Sequence, residues 1–483
     1  MPLRHDSKIT VRIFPVLLAI ALLGNGRIAA SQPDESPSPS ASAVPSPLPS
    51  PSLPPAGVIP AALSLDVTGS PVADSAFLDE RIRAELDRQI RPTLRFGAGV
   101  SYGPIVPWPL LPLALGTRAA VNVTVTISGS DTGSAVTGVT TVTLNSAAVA
   151  PTEPSTLFLS DDPEYLLSEG LVFRGDVDAA RPARLYYYHS NIGPPRDLDI
   201  VLTSAITARV HLIQSEAGPD LDVMSVGHFV TRDFLQYERA NEGTVVNVVP
   251  GVPFVVRHAV MLHGELVAGA VDVAIVSGGP VAVSVVASPA GSRPGEYVSG
   301  PRVAFDGHHR HGAFALGGYG TIAAAYTVGG PPIAAKFGGR VPTPDNLDPA
   351  DDGHDYGDYG VIRRITFTLN NPTDDTHRVY LYAKPLGGAM RGSFVVDGQL
   401  KEVDCVRVPQ QYGIMTYEMP PHSTGASTTD TMTDGGSNYP LEFGVTDTQP
   451  LPVAPPAGSA ESCRPNTASF PQAALSDSTP PVR

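Results

Sequence analysis

The chain has 483 residues, and its 47 Gly and 50 Pro make up about a fifth of it, well above ordinary usage. Apolar residues reach 42%, charged ones only 16%, and the formal net charge is −15. This excludes a coiled coil, a helical array and a wholly disordered chain, and with Lys confined to Lys8, Lys336, Lys384 and Lys401 there is no basic footprint for nucleic acid or an anionic membrane.

Residues 1–31 have the pattern of a secretory signal peptide. Arg4, Lys8 and Arg12 start it, Ile13 to Leu23 are apolar, and Ala29-Ala30-Ser31 offers a small-residue cleavage point. The apolar run is too short to span a hydrocarbon core of about 30 Å, and no transmembrane segment is expected in the mature chain. Residues 32–60 are dominated by Pro and Ser, which withhold backbone donors and predict a disordered, semi-rigid linker. The expected localisation is secreted or extracytoplasmic.

The segment 61–155 is predicted to hold a helix and a small β segment. Ile82, Leu86 and Ile90 recur at i, i+4, i+8, with Phe77 and Leu78 opening the stripe. Asp74 or Ser75 can cap this helix and Pro92 ends it, while Asp79, Glu80, Arg81, Arg83, Asp87 and Arg88 read as its solvent face. Strands come next at Ala120 to Ile127 and Thr140 to Leu144.

From 156 the chain reads as short alternating strands parted by Gly, Pro and Asp. The expected fold class is mostly β, with two antiparallel β-sandwich-like domains at 156–292 and 300–447. A helix interrupts the first at Gly227 to Ala240, with Phe229, Asp233 or Phe234, and Tyr237 on one face. In the second, Asp397-Gly398 between Phe394-Val395-Val396 and Gln399-Leu400-Lys401 predicts a type I′ hairpin. The tail, 448–483, is again rich in Pro and Ser but contains Cys463. In an oxidising compartment a Cys405–Cys463 disulfide is expected, tying the tail to the last domain.

Several phrases carry a family likeness: LSDDPEYLLSEGLVFRGDV (Leu159 to Val177), RLYYYHSN (Arg184 to Asn191), Asn371 to Gly398, and TMTDGGSNYPLEF (Thr431 to Phe443). Together they resemble an uncharacterised group of secreted bacterial proteins with β-sandwich-like regions and no assigned activity. The resemblance implies the β-sandwich fold and secretion, and carries over no catalytic residue.

Compact catalytic signatures are absent from the sequence: there is no G-x-S-x-G, H-E-x-x-H or Walker loop. The most chemical stretch is Asp306-Gly-His308-His309-Arg310-His311. In an extended strand His309 and His311 would share a side, a workable spacing for zinc or copper, with a third ligand drawn from His354 or His377. The second stretch is the acidic run Asp345, Asp348, Asp351, Asp352, Asp355 and Asp358, whose oxygens suit calcium although the register is not that of an EF-hand. The candidate metal ligands are therefore His308, His309, His311, Asp351, Asp352, Asp355 and Asp358, and the two stretches could meet as one mixed site. Alternation in Tyr186-Tyr187-Tyr188 could turn Tyr186 and Tyr188 outward as an aromatic platform. His211, His228, His258 and His263 read more simply as hydrogen-bonded structural residues.

The expected function is a secreted or envelope-associated, non-enzymatic protein for binding, scaffolding or adhesion, with an envelope polymer or protein as partner. The alternatives are a metal-dependent secreted enzyme using His308, His309 and His311, and a calcium-stabilised carbohydrate-binding module.

Overall fold

A computed structural model describes residues 53–452, apart from 70, 71, 73, 109–111, 341 and 349. The signal peptide, most of the linker and the tail from 453, including Cys463 and hence the expected bridge to Cys405, lie outside the described residues. The folded body begins earlier than the expected linker end. Ala56 is fully buried, and its N–H reaches Ser134 O at 2.8 Å while its O accepts from Arg95 N at 2.8 Å.

The protein is mostly β, with 25 strands and two α-helices among the described residues. An 11-stranded sheet runs, in spatial order, through strands 311–315, 156–160, 183–191, 266–278, 208–220, 244–248, 62–67, 136–146, 118–127 and 100–106, with 165–166 added against 183–191. The segment 61–155 therefore shares a sheet with strands of the 156–292 region, through the pairing of Val67 with Thr244. The strand at 311–315, inside the region expected to form the second sandwich (300–447), pairs with 156–160 of the first. The ladders are also mixed rather than purely antiparallel: 156–160 runs parallel to 183–187, 62–67 to 141–146, and 321–327 to 364–370.

A four-stranded sheet (254–261, 196–203, 281–289, 170–177) covers one face of the large sheet. Leu185, Tyr187, Val267 and Val271 meet Ile200, Leu202, Val283 and Val285 in one apolar cluster. The other face packs on helices, with Tyr186, Tyr188, Ile213 and Ala270 sharing a cluster with Phe234 and Ile82. Strand 183–191 is consequently buried at every position, as a central strand covered on both faces must be. Two further five-stranded sheets, built from 321–431 and from 333–452, enclose a third cluster. In it Phe394 and Phe443 stack at 5.1 Å.

The first helix, α1 (Ser75–Ile90), is capped by Asp74, whose Oδ1 accepts from Ala76 N (2.7 Å) and Phe77 N (3.0 Å). Its buried stripe is the expected one with an addition: Arg81, placed on the solvent face by the periodicity, is 3% exposed. The second helix, α2 (Val223–Ala240), starts four residues before the expected Gly227 because Asp222 caps it and accepts from Ser225 N at 3.2 Å. Phe234 and Tyr237 are buried while Phe229 is not. Gly227 lets α2 press on the loop at 434–436, since a Cβ there would lie 2.0 Å from Gly435 O. Asp397 and Gly398, at φ 48° and 82°, join strands 389–396 and 399–407 as expected.

His228 fastens α2 to the neighbouring sheet. Its Nδ1 faces Asp434 Oδ2 at 2.7 Å and its Nε2 faces Glu402 Oε1 at 3.0 Å, so both ring nitrogens must donate and the ring is an imidazolium. Burial works against the charge, but the two carboxylates outweigh it and push His228 up to about 9. A raised folded pKa adds stability that is complete below the unfolded value of about 6.5 and fades as pH rises through 9. Urea unfolding of the wild type should thus lose up to about 3 kcal/mol from this group between pH 6 and 10, and His228→Gln should flatten that part of the profile. An unchanged profile in the variant would contradict the assignment.

Candidate functional site

Strand pairing assembles the site. Because 311–315 pairs with 156–160, His311 lies opposite Ser160, and Asp161 N donates to Arg310 O at 3.0 Å. The loops at 161–165 and 305–310 are thereby laid side by side. A return of the chain at 345–347, with Ala315 N on Asp345 O and Leu347 N on Ala313 O, both at 2.8 Å, then brings the acidic run alongside His311.

The three expected histidine ligands part company. His308 and His309 sit in a turn before the strand, so period-two alternation does not apply to them. Both backbone N–H groups donate to Asp306 Oδ1, and His308 is exposed. The His309 ring lies between Asp306 Oδ2 (2.6 Å) and Glu164 Oε2 (3.1 Å). His311 is buried under Phe305, stacked at 3.9 Å. Its Nε2 faces Asp351 Oδ1 at 2.9 Å and Asp352 Oδ1 at 3.6 Å, and its Nδ1 lies 3.2 Å from Asp162 Oδ2. Burial pushes Asp162 up, against N–H donors from Asp306 and Gly307.

The acidic run divides too. Asp351 and Asp352 join His311, and ligand atoms of these three lie within 4.8 Å of one another. One imidazole and two carboxylates form a donor set suited to a borderline divalent ion such as zinc. Asp355 and Asp358 are withdrawn from any such set. Asp355 is fully buried and accepts from Tyr359 N at 2.9 Å. Asp358 is buried against Arg363 at 2.6 Å and accepts from Gly338 N at 2.8 Å. An oxygen cage for calcium spanning the whole run is therefore not assembled. His354 packs on Tyr356 at 4.1 Å and His377 lies on strand 377–385; neither is in the group.

The outward Tyr186–Tyr188 platform is corrected by the fold. Both rings are buried, at 1% and 8% exposure, because their side of strand 183–191 is covered; a Cβ on Gly435 would lie 2.8 Å from each side chain. They line instead a cavity of about 180 Å³ with Asp161, Glu164, Arg310, Tyr359 and the turn at Gly436-Ser437. Three of the phrases that carry the family resemblance supply most of this wall, although they are far apart in the chain. Sequence reasoning missed the cavity because no periodicity reports which distant loops converge.

The cavity is polar and incompletely satisfied. Arg310 Nη1 pairs with Asp161 Oδ2 at 3.1 Å, and its guanidinium lies 4.4 Å over the Tyr359 ring. Yet Asp161 Oδ1, Tyr186 OH and Arg310 Nε have no hydrogen-bond partner among the described residues. Burial pushes the Asp161 carboxyl well above the usual carboxylate range despite Arg310, and pushes the Tyr186 and Tyr188 phenols up, so both stay neutral. Orphaned groups of this kind are rare in folded proteins and need a reason.

A hydroxyl–imidazole pair lies nearby but is sealed. Ser160 Oγ is 3.0 Å from His189 Nε2, whose Nδ1 is 2.9 Å from Pro163 O. Both residues are buried, and burial pulls His189 down to about 4. The pair has neither a carboxylate to orient it nor access for a substrate.

No family model matches the chain, and no curated protein does. Among solved structures the chain is similar to Lac15 from a marine microbial metagenome, at 9% identity over 71% of this chain and 75% of that one, with a TM-score of 0.13. It is also similar to tripeptidyl peptidase 2, at 12% identity over 73% of this chain and 30% of that one, with a TM-score of 0.15. The tandem CBM22 domains of Paenibacillus barcinonensis Xyn10C give 10% identity, 74% and 92% coverage, and a TM-score of 0.12. Likenesses this weak carry no argument about fold or function.

Proposed function

We propose that the chain is a secreted or envelope-associated binding protein without catalysis of its own, built of two β-sandwich-like bodies, which holds a neutral, hydroxyl-rich ligand in the cavity at Asp161, Tyr186 and Arg310. The observation that carries this reading is that three residues lining one cavity, Asp161, Tyr186 and Arg310, each keep a buried polar atom without a partner among the described residues. A carboxyl group asks for a donor when ionised and for an acceptor when burial keeps it protonated, a guanidinium N–H asks for an acceptor, and a phenol takes either. A hydroxyl group gives and takes at once, so a sugar residue or similar polyol answers all three, and the Tyr rings offer it apolar faces. The signal-like N-terminus and the Pro/Ser linker support display outside the cytoplasm.

The test is a titration of the full chain with neutral monosaccharides and polyols, monitored by NMR and calorimetry. Saturable binding by one stereochemical class, competing among its members, is the expected result. Failure of every neutral polyol to bind, with the cavity holding only water, would overturn the proposal.

A second reading rests on a separate observation, the convergence of His311, Asp351 and Asp352. It makes this group a divalent-cation site that stiffens the loop beside the cavity, or the centre of a metal-dependent enzyme. Elemental analysis of chelator-free protein separates the cases: near-stoichiometric zinc lost in His311→Ala supports the site, and metal-free folded protein removes it.

A further inference from the structure

Far from the loop cluster in sequence, a larger cleft of about 400 Å³ opens between α1 and strand 254–261. Its rim is self-contained. Arg83 is held by Asp79 at 2.7 and 3.0 Å, Arg91 by Asp87 at 2.8 Å, and Arg88 by Glu85 at 3.0 Å. Its inner wall is not. Arg81 is 3% exposed and spends only Nη2 on Glu80, leaving Nε and Nη1 without a hydrogen-bond partner among the described residues. Arg257 gives Nη2 to Gly218 O at 2.6 Å, and its Nε is likewise unpartnered. The buried Glu216 carboxylate feels the charge of both arginines, and its Oε1 accepts from Tyr187 OH at 3.3 Å.

The wall therefore holds buried N–H groups on two arginines that make no hydrogen bond although the Glu216 carboxylate stands near both, and a buried Arg left so is costly. Guanidinium forks match the two oxygens of a carboxylate. Pro92, Val255 and Pro294 add apolar surface to the lining, beside the polar groups of Glu80, Tyr102 and His258. Behind Arg81 and Arg88 a smaller space continues against Leu65, Leu212 and Phe254. The volume is that of an ordinary small-molecule site.

We infer that this cleft is a second binding site, specific for a small monocarboxylate with an apolar body, whose carboxylate is taken by Arg81 and Arg257. It is independent of the polyol cavity, sharing none of its residues.

The experiment titrates the full chain with hexanoate and phenylacetate, each against its neutral amide, by calorimetry at pH 7.5. At least one acid should bind about tenfold or more tightly than its amide, because only the acid meets both arginines with charge. Arg81→Met should remove that preference, and Arg257→Gln should reduce it at least threefold, about 0.7 kcal/mol. Circular dichroism checks the fold of each variant; if Arg81→Met does not fold, Arg257→Gln decides. Equal binding of acid and amide, no binding of either acid, or an undiminished preference in Arg257→Gln would overturn the inference.

Discussion

Replacing Asp272 with alanine is expected to destabilise the protein by about 3–5 kcal/mol, the range for stranding one partner of a buried ion pair. Arg184 and Asp272 face each other across neighbouring strands. Their contact is a parallel fork, Nε to Oδ1 at 2.7 Å and Nη2 to Oδ2 at 2.9 Å, with side chains only 3% and 8% exposed. The Arg184 guanidinium also lies 4.7 Å over the Phe234 ring of α2 and gives Nη1 to Gly360 O at 3.1 Å. Loss of Asp272 leaves a nearly buried cation whose remaining nearby carboxylate, Glu238, makes no ion pair with it. Removing both charges, in Arg184→Met with Asp272→Leu, should recover most of the loss, since apolar groups of similar volume replace buried pairs at little cost. Urea unfolding measures both variants. A single-variant loss under about 1 kcal/mol would place the pair with exposed bridges instead.

Asp358→Ala should cost a similar amount, about 3–5 kcal/mol, and Asp358→Asn, which also strands Arg363 but keeps an acceptor and suits the backbone, about 1 kcal/mol less. The carboxylate holds Arg363 at 2.6 Å, and accepts from Gly338 N at 2.8 Å and Tyr319 OH at 3.1 Å. Its own backbone sits at φ 56°, a left-handed conformation that Asn tolerates and Ala does not favour. Asparagine keeps an acceptor for Gly338 as well. Thermal and urea unfolding without added metal would show the difference. Wild-type stability in both variants, with a changed metal content, would return Asp358 to the ligand set in which the acidic run placed it.

Local chemistry was legible in the sequence where one short stretch contains the whole cause. The Asp74 cap, the end of α1 before Pro92 and the Asp397-Gly398 turn each depend on a few neighbouring residues. The β class was legible for the same reason. The meeting of His311 with Asp351 and Asp352 could be imagined from composition, but only strand register makes it a fact. The burial of Tyr186 and Tyr188 depends on how many layers cover strand 183–191, and alternation cannot count layers. Arg81 was misread because a charge on a helix is ordinarily a solvated charge; only the opposing strands make it a buried one. The polar cavity was least legible of all, since its wall joins residues from 161 to 437.

Binding in the cavity is measured most directly as the affinity of the full chain for its tightest neutral polyol, in wild type and in Tyr186→Phe. The Tyr186 hydroxyl has no partner among the described residues, so its removal should leave stability unchanged or raised while weakening the ligand by about three- to tenfold. Affinity unchanged in Tyr186→Phe, or a loss that tracks stability alone, would contradict the assignment of the cavity as the binding site.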